Sequence, residues 1–213
     1  MTIWVDIETL PGIYTPSALD GLVRAAVPAT LKKPATIAAW CQEHRDEVWR
    51  RTALDPLQGQ VLCIAAAEGR DGEVSSWYDR DCDGGPLRGL AGWLDERDGS
   101  LRGHRPTWGG WSVAFDLAYI RLHAGRLELE SVTRRLPDRS WLRCDVKAVA
   151  AAYDRRLMRS LGATARFFGL DKAEGLHGSE VLDAYARGEH ERIERYCRGD
   201  VEITREIARR IGA

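Results

Sequence analysis

Asparagine is missing from this sequence of 213 residues, and lysine is scarce, since arginine supplies 27 of the 31 basic positions. We read that skew as GC-rich coding bias. Net charge is nearly missing too: 31 basic against 32 acidic residues leave −1. This excludes an acidic tail and a histone-like polycation, while leaving room for a local basic patch. The longest apolar run is seven residues, Val61 to Ala67, too short to cross a membrane as a helix. The opening MTIWVDIE has neither a charged n-region nor a long apolar stretch, so a cytoplasmic protein without a secretory signal is expected. The five cysteines (41, 63, 82, 144 and 197) are odd in number and form no C-x-x-C pair. They exclude a disulfide framework and a zinc site, and suggest buried thiols in a reducing compartment.

What is there suffices for a core: 44% of residues are apolar and 30% charged. Length and the lack of a linker-like stretch predict a single domain over 1–213. Thr2 to Ile7 reads as a buried strand, broken at Leu10-Pro11-Gly12. Residues 13–33 read as a long surface loop with at most one helical turn. A helix is predicted from Ala35 to about Leu54, with Ile37, Trp40, Cys41, Val48 and Trp49 as its apolar side. Gln60 to Ala67 and Glu73 to Tyr78 flank Arg70-Asp71-Gly72, a hairpin signal. Next come a helix from about Pro86 to Asp95, a short strand at Thr107 to Trp111 and a helix from Phe115 to His123. A further strand end is expected around Leu142 to Asp145. Helices follow, the clearest from Glu189 to Ile211. Early strands covered by later helices define an α/β fold, and the hairpin makes its sheet mixed.

Three places break this pattern, and all three are acidic. Asp6 and Glu8 end the first strand on one face, about 7 Å apart, and would repel each other without a cation between them. Asp200 falls on the apolar stripe of the last helix (Ile193, Tyr196, Cys197, Val201, Thr204, Ile207, Ile211), four residues after Tyr196. An unpaired carboxylate there costs several kcal/mol; pairing with Arg195 or Arg198 at the stripe's edge is the plainer alternative. Asp116 follows Phe115 at the head of a helix, where an N-cap is the plainer role. If the fold gathers all four, the cluster carries −4, which two divalent cations would balance. Oxygen donors alone suit Mg²⁺ or Mn²⁺, and such a pair of ions serves phosphodiester cleavage.

Asp-Ile-Glu-Thr in the first strand, Ala-Phe-Asp in the middle and Tyr-Cys-Arg-Gly-Asp near the end resemble the three motifs of the DEDD 3′–5′ exonucleases, which have the ribonuclease H-like fold. Tyr-x-x-x-Asp is similar to the tyrosine (DEDDy) branch; the histidine branch has a His where Arg195 stands. The sequence most resembles the exonuclease domain of family-B DNA polymerases, especially stand-alone versions, along nearly its whole length. That resemblance implies that Asp6, Glu8, Asp116 and Asp200 ligate two divalent cations, Mg²⁺ or Mn²⁺. Tyr196 would orient the attacking water, and Thr9, Leu10 and Phe115 would meet the terminal nucleotide. The implied reaction is stepwise hydrolysis from a 3′ end, of single-stranded DNA first, releasing nucleoside 5′-monophosphates. Any proofreading would act in trans, beside a separate polymerase or replication protein. RNA trimming is the alternative within the superfamily, and an inactive nucleic-acid-binding module is the rival. The sequence departs from the family where an asparagine often precedes Phe-Asp; here the stretch reads Trp108-Gly109-Gly110-Trp111-Ser112-Val113-Ala114.

Between Arg121 and Arg166, ten arginines and one lysine face five acids, a local +6 able to track phosphates. Tyr14, Phe167 and Phe168 are candidate stacking faces for unpaired bases.

Overall fold

The computed structural model describes residues 1–101, 105–137, 144–172 and 175–213. Two compact units divide the chain: Met1–Glu8 with Val61–Ala213, and Thr9–Gln60.

The first unit is built on a four-stranded sheet in the order β3-β2-β1-β4, comprising β1 (Thr2–Leu10), β2 (Gln60–Glu68), β3 (Val74–Tyr78) and β4 (Thr107–Gly109). The predicted hairpin forms: β2 and β3 are antiparallel, with Cys63 opposite Tyr78 and Ala67 opposite Val74. β1 and β4 run parallel, with Trp4 opposite Gly109. The sheet is therefore mixed and flanked by helices, as the sequence pattern requires. Val61 to Ala67 is buried throughout, because both faces of β2 are covered, which is why its sequence is continuously apolar rather than alternating.

Alternation along β1 assigns each side chain to a face. Ile3, Val5 and Ile7 join Leu90, Leu94, Trp108, Leu117 and Ile120 under α3 (Gly85–Glu96) and α5 (Val113–Arg126). Trp4 enters the opposite layer with Cys63, Ala65, Cys197, Val201 and Ile207, under α10 (His190–Ile211). The two-residue period carries Asp6 and Glu8 to the α10 side. Close packing at this level depends on a glycine: a Cβ on Gly109 would lie 2.6 Å from the Trp4 ring.

Between these elements lie α4 (Asp98–Leu101), α6 (Glu130–Thr133), α7 (Val146–Ala150), α8 (Leu161–Phe167) and α9 (Val181–Ala186). The strand expected to reach Trp111 ends at Gly109, and Gly110 makes an isolated parallel bridge to Asp145. The rest of the strand end expected near Leu142 lies outside the described residues.

In the second unit, α1 (Pro16–Ala25) corrects the expected loop. Thr15 caps it, its hydroxyl accepting from Ala18 N–H at 3.3 Å, and Pro16 occupies the first turn. α2 (Pro34–Arg51) packs against it, and Arg45 pairs with Asp20 between the two helices. None of α2's residues is fully buried, so its expected apolar side is only half covered. All five cysteines of the chain are free. Among the described residues, no helix is long and apolar enough to cross a membrane.

Candidate metal centre

Two elements of the first unit bring carboxylates together. β1 supplies Asp6 and Glu8, and the buried face of α10 supplies Tyr196 and Asp200, flanked by Ile193, Cys197 and Val201. Asp6, Glu8 and Asp200 each present a ligand oxygen within 4.8 Å of the others'. Glu8 and Asp200 are buried, while Asp6 is half-buried. The Cys197 thiol lies 3.4 Å from the Asp6 carbonyl, tying α10 to β1 at this level.

Asp116 takes a different position. Ser112, not Asp116, holds the N-cap of α5, and Asp116 sits in the first turn, 3% exposed. Its Oδ1 accepts from Ile7 N–H at 3.1 Å, bonding α5 to the strand residue between Asp6 and Glu8. Asp116 thus stands beside the three-carboxylate group rather than within it, close enough to repel Asp6 and Glu8.

Charge is costly here. Burial first, then repulsion from Asp200, pushes the Asp6 and Glu8 carboxyls well above the usual carboxylate range. Burial drives Asp116 up to about 8. Asp200 is also raised by burial, though the Lys172 ammonium opposes the rise. Tyr196 is pushed up by burial and by Glu8 and Asp200, so its phenol keeps its proton.

Lys172, which the sequence reading missed, completes the site. Its Nζ donates to Asp200 Oδ2 at 2.8 Å and to the Tyr196 hydroxyl at 2.9 Å, and lies 4.2 Å from the Tyr196 ring centroid. The sequence offered Arg195 or Arg198 as the alternative partner of Asp200; the cation that bonds it is Lys172, from a segment 28 residues away. Lys172 sits in an irregular segment with no periodic signal; its one mark is being a lysine in an arginine-dominated chain, where a compact ammonium on a flexible stem is a distinct choice.

One ammonium does not satisfy the cluster. Among the described residues, Asp6 Oδ2 and Asp200 Oδ1 are buried without a hydrogen-bond partner, a state that costs free energy unless something cationic fills it. Orphaned oxygens in a donor set made of oxygen alone fit a hard divalent cation.

Phe115 leans on Tyr119, ring centroids 5.1 Å apart, and packs against the apolar core. In the second unit, the Thr9 hydroxyl donates to the Ala53 carbonyl at 2.7 Å, and Leu10 is buried.

A buried, oxygen-only acidic site on a mixed α/β sheet narrows the class of protein; the comparison with families narrows it further. Residues 127–205 match the model of a family described as a predicted 3′-5′ exonuclease related to the exonuclease domain of PolB. The matched stretch holds Lys172, Tyr196 and Asp200 and covers less than half of the chain, leaving Asp6, Glu8 and Asp116 outside it. No curated protein and no solved structure matches the chain.

Proposed function

We propose that this protein is a metal-dependent 3′–5′ exonuclease of the DEDDy type, ribonuclease H-like in fold, acting on single-stranded DNA. The observation that carries the reading is the meeting of Asp6, Glu8 and Asp200 within 4.8 Å, with buried oxygens left unpartnered. The family similarity over Lys172, Tyr196 and Asp200 supports it independently.

Asp6, Glu8 and Asp200 would hold the cations, and Asp116, anchored on Ile7 N–H, supplies the adjoining carboxylate. Two divalent ions, when bound, stabilise the negative charge that builds on the attacking and leaving oxygens. The protonated Tyr196 hydroxyl orients the attacking water. Water oxygen bonds to phosphorus, the bond from phosphorus to the 3′ oxygen breaks, and the proton passes to that leaving oxygen, releasing a nucleoside 5′-monophosphate. Lys172 steadies Asp200 and the Tyr196 hydroxyl from the other side.

The test is incubation with 5′-labelled single-stranded DNA and matched RNA, in Mg²⁺, Mn²⁺ or chelator, beside Asp200→Ala. A one-nucleotide ladder shortening from the 3′ end, dependent on metal and lost in the variant, is expected on DNA. A stronger ladder on RNA would assign an exoribonuclease. Intact substrate under every metal, at concentrations that bind it, would overturn the enzyme reading.

A further inference from the structure

We infer that a groove between α7, α8 and the end of α10, separate from the carboxylates, seats unpaired nucleotides of single-stranded nucleic acid upstream of the 3′ end. The inference rests on the exonuclease reading for the identity of the polymer, and on the groove itself for the contact.

The groove has a volume of about 430 Å³, within the ~300–1,000 Å³ usual for ligand sites. Trp111, Leu157, Phe167 and Phe168 form its apolar surface, and Lys147 and Arg159 stand among them. Phe167 is 83% exposed and Leu157 56%. A phenyl ring left that open is a surface awaiting a partner when it borders an apolar groove. Phe168 meets it edge to face at 5.2 Å, which steadies the exposed ring. The Trp111 indole N–H is buried and finds no acceptor among the described residues.

Charge selects among planar ligands. From Val146 to Leu170, four arginines and Lys147 stand against a single acid, Asp154, which is paired with Arg156. Among the described residues, Arg159 bonds main-chain carbonyls alone, those of Arg156 and Met158, leaving its charge for an incoming anion. Aromatic faces interleaved with unneutralised cations suit bases joined by phosphates. Asp145, which caps α7 through Ala148 N–H at 3.0 Å, lies near enough to Asp116 to raise its proton affinity, so the chain passes from the neighbourhood of the acidic cluster into α7, which carries Lys147 of the groove.

The test uses the full chain in chelator, with fluorescein-labelled dT15 followed by anisotropy. Phe167→Ala should weaken binding roughly 5- to 100-fold, the effect expected for one lost stacking contact, and Phe167→Tyr should restore it. The Lys147→Gln, Arg159→Gln double variant should lower the salt slope by about 1.4. An abasic 15-mer should bind the native chain as weakly as dT15 binds Phe167→Ala, and Mn²⁺-dependent cleavage of dT3 should be unchanged in every variant. Equal binding of dT15 by Phe167→Ala, equal binding of the abasic strand, or displacement of dT15 by poly-glutamate of equal charge would each overturn base recognition. Native protein that cleaves dT3 while groove variants bind dT15 normally refutes the groove alone. Protein that binds dT15 through Phe167 yet cleaves nothing refutes the exonuclease reading alone.

Discussion

Neutralising the buried carboxylate beside the acidic cluster should make the metal-free protein more stable. Asp116 is the position to change, because its carboxyl is 3% exposed and accepts a main-chain bond that an amide oxygen can also accept. Burial lifts its pKa from 3.8 to about 8. For a carboxyl raised on folding, stability is full below the unfolded value and is lost as pH rises towards the folded one. Between 3.8 and pH 7 that loss, at about 1.4 kcal/mol per pH unit, reaches about 4 kcal/mol as an upper figure. Asp116→Asn removes it, which for a chain of this size raises Tm by roughly 5–15 °C. Thermal melts of both proteins in chelator at pH 4, 7 and 8 provide the assay. The two should nearly coincide at pH 4 and separate at pH 7 and 8. Added Mn²⁺ should stabilise both proteins, because Asp6, Glu8 and Asp200 remain in the variant and ligand binding stabilises any state that retains the site. Coincident melts at pH 8, or an equal gain at pH 4, would refute the argument that trapped charge defines this site.

Three further outcomes follow from the same contacts. Lys172→Gln leaves Asp200 without its ammonium, so the metal-free variant should lose on the order of 3–5 kcal/mol in denaturant melts, a loss that Mn²⁺ should largely restore. Tyr196→Phe should fold normally, since the ring and its packing persist, while kcat on labelled single-stranded DNA falls about 100-fold for want of the hydroxyl. Gly109→Ala brings a methyl to 2.6 Å from the Trp4 ring, costing about 1–3 kcal/mol in urea unfolding.

Much of the architecture can be read directly from local periodicity. The two-residue repeat of β1 puts Asp6 and Glu8 on one face, and the helical stripe of α10 aligns Asp200 with Tyr196, because side-chain direction in a strand or helix follows from backbone geometry alone. The β2–β3 hairpin is likewise announced by its turn residues. α1 was open to the same kind of reading, for Thr15-Pro16 is a helix start, but the surrounding Gly and Pro residues look like loop punctuation. Periodicity says nothing about what lies opposite. That Asp200 meets Lys172 rather than Arg195 or Arg198, that Asp116 bonds Ile7 N–H instead of capping its helix, and that Phe167 opens onto a groove depend on segments far apart in the chain. Local geometry sets the direction of each side chain; only the packing of β1, α5, α8 and α10 on one another sets its partner, and the partner decides whether a buried charge is neutralised, hydrogen-bonded or left for a metal.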